Sequence, residues 1–141
     1  MIGEKSSEQR TEGTLSARTT LGRAYRATSV QMKRNLRIFL MESTDDSWDG
    51  NSLGFHIYNG MNGGKDLDIT LKGDVQATFR VWVGGGFYRL DFVDRGKITY
   101  FFDLLTHEMK GTFHFEVDDQ QGNLAYRFTD GTFSARGLEP F

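Results

Sequence analysis

The sequence predicts an all-β domain, an antiparallel meander of about eight strands that closes into a small barrel, with a sandwich of two sheets as the alternative. Three observations carry the expectation. Apolar residues recur with a period of two from about residue 35 almost to the end. Glycine-containing links separate the alternating runs. The one proline, Pro140, lies beyond the last run, where it interrupts no ladder.

At 141 residues the chain has room for one hydrophobic core. Twelve phenylalanines and no cysteine mean that stability must come from buried rings and branched side chains, which excludes a disulfide-stapled scaffold. The opening residues MIGEKSSEQR contain no apolar core of a secretory leader. No run approaches the roughly 20 apolar residues needed to span a bilayer. A soluble protein of the cytoplasm or of an assembled particle is therefore expected, with no membrane partner. Charge is uneven along the chain: residues 1–37 hold eight Lys or Arg against three Glu, a net +5, and the remainder holds nine against sixteen, a net −7.

The first 13 residues are polar and show no period. From Ser16 to Lys33 a helical period puts Leu21, Ala24, Tyr25, Thr28 and Met32 on one thin stripe. Residues 1–34 are accordingly expected as a basic arm, loose or as a short helix, 35–136 as the barrel and 137–141 as a tail. The arm would dock on its own acidic body, on a neighbouring copy, or on another anionic partner. Its charges are interrupted by uncharged residues, so nucleic acid is not the expected partner.

Beyond Arg34 the expected inward faces are Ile38 and Leu40; Leu53, Phe55 and Ile57; Leu67, Ile69 and Leu71; and Val75, Ala77, Phe79 and Val81. They continue with Tyr88, Leu90 and Phe92; Ile98, Tyr100 and Phe102; Phe113, Phe115 and Val117; and Leu124, Tyr126 and Phe128. Matching these faces predicts hairpins across Lys72-Gly73-Asp74, Gly84-Gly85 and Asp94-Arg95-Gly96, with Phe79 opposite Leu90, Leu90 opposite Tyr100, Phe102 opposite Phe113 and Phe115 opposite Tyr126. The architecture is similar to that of calycin-type barrels, but in outline only. The Gly-x-Trp signature of the lipocalins is absent, since Gly22-Arg23-Ala24 precedes the first expected strand and Trp48 falls in a loop.

Asp45, Ser47 and Asp49 followed by Gly50 copy the first half of a calcium loop, in which alternate oxygens converge on a hard cation. The twelfth position is His56 rather than Glu, and strands flank the loop, so an ordinary Asp-Gly turn is the competing reading. Gly60 to Lys65 fails as a phosphate loop, because Asn59 and Asp66 stand where glycine and Ser or Thr are required. His114 and Glu116 share a strand face without a third ligand. No spacing nominates a nucleophile with its base, and no cofactor is expected.

The expected registers put Trp82, Phe87, Arg80, Arg89, Phe101 and His114 together on the outside of one sheet, with Arg80 opposite Arg89. Aromatics and arginines of this kind anchor interfaces. The N-terminal helix, a second subunit or a foreign partner would cover them. Inside the barrel, Tyr88, Tyr100 and Tyr126 among rings such as Phe79 and Phe115 would orient a small apolar ligand, or simply fill the interior. The leading expectation is a non-enzymatic binding or assembly barrel that forms homo-oligomers through its outer patch and N-terminal arm, as a component of a larger particle would. The alternatives are a carrier or sensor with an apolar cavity, and a barrel enzyme of cyclase or isomerase type that shapes its substrate under an N-terminal lid.

Overall fold

A half-apolar strand must bury one face, and its neighbours are decided by where that face finds a complement. The computed structural model describes residues 10–58 and 62–141. In them the chain forms β1 (Glu12–Thr19), β2 (Tyr25–Arg26), β3 (Ser29–Arg34), β4 (Ile38–Asp45), β5 (Asn51–Tyr58), β6 (Gly63–Asp68), β7 (Val75–Gly84), β8 (Phe87–Phe92), β9 (Arg95–Asp103), β10 (Glu108–Asp118) and β11 (Leu124–Arg136). The strands make two antiparallel sheets, a six-stranded one in the order β2-β1-β11-β10-β9-β6 and a five-stranded one in the order β3-β4-β5-β7-β8. The described strands do not close into a barrel. None of the described residues forms a helix long and apolar enough to cross a membrane.

The two sheets face each other through rings. Phe39 of β4 meets Phe102 of β9 at 5.0 Å between centroids, Phe55 of β5 meets Phe113 of β10 at 5.1 Å, and Phe79 of β7 meets Phe128 of β11 at 4.9 Å. These are edge-on contacts, which place positive ring edges against negative faces. One cluster of buried side chains runs through both sheets. Where a large ring needs lateral room, its cross-strand partner has no side chain: Phe113 pairs with Gly131 and Phe115 with Gly96. A Cβ on Gly131 would sit 2.6 Å from three atoms of the Phe113 ring.

The helix expected over 16–33 does not form. Residues 12–34 are strands β1 to β3, and β1 pairs with β11 from Glu12 opposite Arg136 to Thr19 opposite Phe128. Leu15, Ala17, Tyr25, Val30 and Met32 are buried, whereas Leu21, assigned to the helical stripe, is 39% exposed. The backbone groups of an arm are satisfied more fully by the open side of β11 than by a marginal isolated helix. Residues 1–9 lie outside the described part. The expected tail is also attached, since the Glu139 N–H donates to the Met32 carbonyl at 2.7 Å.

Two expected hairpins are instead crossings between sheets. β6 pairs with β9 and β7 with β5, so 69–74 carries the chain from one sheet to the other; β8 pairs with β7 and β9 with β10 and β6, so 93–94 does the same. Ile69 and Val93, both buried, pin these corners. The hairpins β9–β10 and β10–β11 do form, with Phe102 opposite Met109 and Phe115 opposite Phe128. At these two positions the registers differ from expectation by even numbers of residues, so Phe102, Phe113, Phe115, Val117, Tyr126 and Phe128 keep their inward side.

Two faces are reversed. In β4 both faces of Ile38-Phe39-Leu40-Met41 are apolar, and it is Phe39 and Met41 that are buried, with Ile38 and Leu40 outward. In β8 the expected inner residues Tyr88, Leu90 and Phe92 are 43, 50 and 59% exposed. An irregularity between Trp82 and Gly84 shifts the hairpin by one residue, so that Phe79 lies opposite Asp91 and Arg80 opposite Leu90. At the strand ends Leu71 and Leu124 are exposed as well.

Three interior tyrosines carry the core's polar groups. The Tyr25 hydroxyl lies 2.9 Å from Ser43 Oγ and accepts the Leu53 N–H at 3.3 Å. Burial pushes its phenol up to about 12, against the opposing effect of the Ser43 hydrogen bond. Burial likewise pushes Tyr100 up to about 12, with the Arg34 charge acting in the other direction. Tyr126, buried beside the Asp91 carboxylate, is held well above the ordinary value.

Two outcomes follow from this packing. Gly131→Ala forces a methyl into the Phe113 ring, and urea denaturation should show a loss of about 1–3 kcal/mol, the usual cost of overpacking. The tyrosines set an alkaline limit. An unfolded phenol ionises near 10, while Tyr25 and Tyr100 keep their protons to about 12 when folded, so their contribution is intact below pH 10 and is lost as pH rises towards 12. The denaturation midpoint should fall steeply through that window and less steeply in Tyr25→Phe; a flat profile would contradict the burial.

Candidate functional site

β7 sends Val75, Ala77 and Phe79 inward, so Gln76, Thr78, Arg80 and Trp82 point outward. Pairing with β8 sets Phe92 beside Thr78, Leu90 beside Arg80 and Tyr88 beside Trp82 on that same outer face. The Arg80 guanidinium lies 4.4 Å above the Tyr88 ring, and the Trp82 and Tyr88 rings meet edge-on at 5.1 Å. Such a stack combines cation–π attraction with aromatic contact. Among the described residues Arg80 makes no ion pair; its Nη2 donates to Ser52 Oγ at 3.3 Å and to the Gly50 carbonyl at 3.5 Å.

The loop between β4 and β5 braces one end of this surface. Tyr88 donates its hydroxyl to the Asp49 carbonyl at 2.8 Å, and the Trp82 N–H donates to Asn51 Oδ1 at 2.7 Å. Gly50 turns there at φ 69°, and a Cβ would approach the Tyr88 hydroxyl to 3.2 Å. The residues weighed as half a calcium loop have other work. Asp45 is buried and its carboxylate accepts Ser47 Oγ at 2.6 Å, the Ser47 N–H at 3.1 Å and the Arg26 N–H at 3.0 Å. Among the described residues no three His, Cys, Asp or Glu side chains converge as a metal site would require.

The outer patch expected as one cluster is divided in three. Arg80 and Trp82 stay together, joined by Tyr88, which had been assigned to the interior. Phe87 and Arg89 are on the opposite side of β8, at its open rim. There Arg89 donates from Nε and Nη2 to the two Asp91 carboxylate oxygens at 2.7 and 2.9 Å, and Tyr126 donates to the same carboxylate at 2.7 Å. The Asp91 carboxylate raises the Arg89 pKa above its ordinary value. The expected repulsion of Arg80 by Arg89 is thus absent, because Arg80 faces Leu90.

Phe101 and His114 lie on the outer face of the six-stranded sheet, where Phe101 is beside Lys110 and His114 beside Lys97. Charges on that face are largely matched. Arg95 pairs with Glu116 at 2.9 Å and with Asp118 at 2.5 Å, and Lys97 with Asp68 at 2.5 Å. Exposed pairs of this kind add little stability, but they leave a hydrated surface. The β7–β8 face is its opposite, apolar and aromatic.

Of the interior set, Phe79, Phe115, Tyr100 and Tyr126 are buried as expected, and Tyr88 is not. Phe79 touches four rings and Phe115 stacks on Phe128 at 4.6 Å. The contribution of Leu90 and Phe92 to an outer surface was missed because Tyr88, Leu90 and Phe92 form the apolar side of the strand, with Arg89 and Asp91 on the other, so alternation points the wrong side inward. The signal that could have decided it is Asp91, which needs a buried donor and finds one in Tyr126. No protein-family model, curated protein or solved structure matches the chain, so the reading of this surface rests on its own geometry.

Proposed function

We propose that the chain is a non-catalytic binding or assembly module that self-associates through β8 and the outer face it shares with β7, with Tyr88, Leu90 and Phe92 as its contact residues and Arg80 and Trp82 bracing Tyr88. The observation that carries this reading is the exposure of Tyr88, Leu90 and Phe92 side by side on a strand with one neighbour. Scattered surface leucines are ordinary, whereas a contiguous apolar patch with tryptophan, tyrosine and arginine has the composition of an interface core. Trp82, Tyr88 and Arg80 already hold one another in place, so little side-chain freedom is lost on contact.

The side chains that a carrier would use are committed elsewhere. Tyr126 donates to Asp91, Tyr88 is outside, and the rings of Phe79 and Phe115 pack on their neighbours. The segment that a lid would use, residues 12–34, is built into both sheets.

Light scattering coupled to size-exclusion chromatography tests the reading. The mass should rise above that of the monomer with concentration, and Leu90→Ser with Phe92→Ser should raise the dissociation constant about tenfold or more, as for removal of interface anchors. Mass that stays monomeric at every concentration would remove the proposal.

A further inference from the structure

Four strands end the two sheets, and three of them are protected in the ways that sheet edges usually are. β2 has two residues. β6 is broken by an irregularity between Gly64 and Leu67, places Asp66 at φ 50°, and carries Lys65, Asp66 and Asp68. β3 is covered on its open side, where the Met32 N–H donates to Thr11 Oγ1 at 2.9 Å and the Met32 carbonyl accepts the Glu139 N–H at 2.7 Å. Among the described residues β8 is neither short, interrupted nor covered, and its two charges, Arg89 and Asp91, are paired with each other. Its pairing with β7 is regular from Phe92 to Tyr88, and it contains no proline, lysine or glycine. A groove runs along its free side, lined by Arg89, Leu90, Asp91 and Phe92 and walled by Val117 and Ala125 together with the acidic Asp94, Asp118 and Asp119.

We propose that β8 joins two copies of this chain edge to edge, as an antiparallel pair about a two-fold axis at Leu90, an inference that rests on the self-association reading above. Strand addition satisfies the open backbone groups, and the side chains select the register. With the axis at Leu90, each Leu90 faces its counterpart, Tyr88 faces Phe92 of the second copy, and Arg89 faces Asp91 of the second copy. The outer side is then wholly apolar, and on the inner side the two Arg89–Asp91 pairs form an alternating cluster of four charges. Moving the axis by one residue sets Arg89 against Arg89 or Asp91 against Asp91, which is unfavourable across a ladder. The strand is therefore complementary to itself in one register, as an isologous contact requires. The two five-stranded sheets become one continuous sheet.

The chain has no cysteine, so single cysteines report the register without ambiguity. Paired strands bring opposite Cα atoms to about 4.5–5.5 Å, within reach of a disulfide, whereas sheets stacked face to face are about 10 Å apart and out of reach. Under mild oxidation of the full chain, Leu90→Cys should give a disulfide-linked dimer. Tyr88→Cys mixed with Phe92→Cys should give the mixed dimer, and Tyr88→Cys alone should not link. Leu90→Lys, a change at an exposed site, should raise the dissociation constant about tenfold or more by setting two lysines together. A chain that remains monomeric in light scattering overturns both this pairing and the reading beneath it. Self-association that is lost in the Leu90→Ser, Phe92→Ser variant while Leu90→Cys fails to link overturns the edge pairing alone. Linking that appears only after deletion of residues 1–9 assigns that segment to the edge and overturns the pairing in the full chain.

Discussion

The Phe79 ring is the contact on which the relation between the two sheets depends. It extends from β7 into the space between them and meets Tyr25, Trp48, Tyr126 and Phe128, whose centroids lie 4.9–6.0 Å away. Those partners come from β2, the β4–β5 loop and β11, so one side chain ties the N-terminal strands, the loop and the last strand to the five-stranded sheet. Once Phe79 points inward, the parity of β7 is fixed, and Arg80 and Trp82 must point outward. The chemistry of the outer face is thus a consequence of the core.

The parity of β8 runs against its hydrophobic pattern, since the side with Arg89 and Asp91 turns to the rim of the core and the apolar side turns out. The choice falls to Asp91. A carboxylate between the sheets is costly unless its charge is matched and its oxygens accept hydrogen bonds. Arg89 on the same strand and Tyr126 on the facing sheet supply both. With Asp91 held inward, Tyr88, Leu90 and Phe92 have only the outside left. A polar network at the rim of the core thereby keeps three large apolar side chains in water.

Much of the shell could be read from the chain. The inward faces of β5, β7, β9, β10 and most of β11 follow from alternation, because each carries large side chains on one side and polar ones on the other. Where both sides are apolar, as in Ile38 to Met41, a period of two names no winner, and in Phe87 to Phe92 it names the wrong side; in both the decision passes to tertiary partners. Link length misled in a different way. Three residues such as Asp94-Arg95-Gly96 suit a hairpin, but Arg95 and Gly96 already belong to β9, and Val93-Asp94 carries the chain around the corner of a two-sheet fold with the buried Val93 as its anchor. The helical stripe over 16–33 fails because Tyr25 and Met32 are buried from separate strands, a coincidence of spacing that sequence cannot distinguish from a period. The candidate surface inherited these errors. Arg80 and Trp82 were found because β7 was read correctly; Phe87 and Arg89 were misplaced by the one-residue shift of the β7–β8 hairpin, and Phe101 and His114 because β8 and β9 were taken as neighbours.

The pairing of β1 with β11 sets the order in which the molecule can be completed. Thr11 and Glu139 meet although they are 128 positions apart in sequence. β1 has on one side only the two-residue β2, and on the other β11, which follows it by more than a hundred residues in the sequence. Leu15 and Ala17 must therefore wait, solvated or borrowed by transient partners, until β11 has been made. Closing so distant a contact is slow compared with forming a local hairpin, so the six-stranded sheet is sealed late and all at once, by the strand that also supplies Tyr126 and Phe128 to the centre of the core.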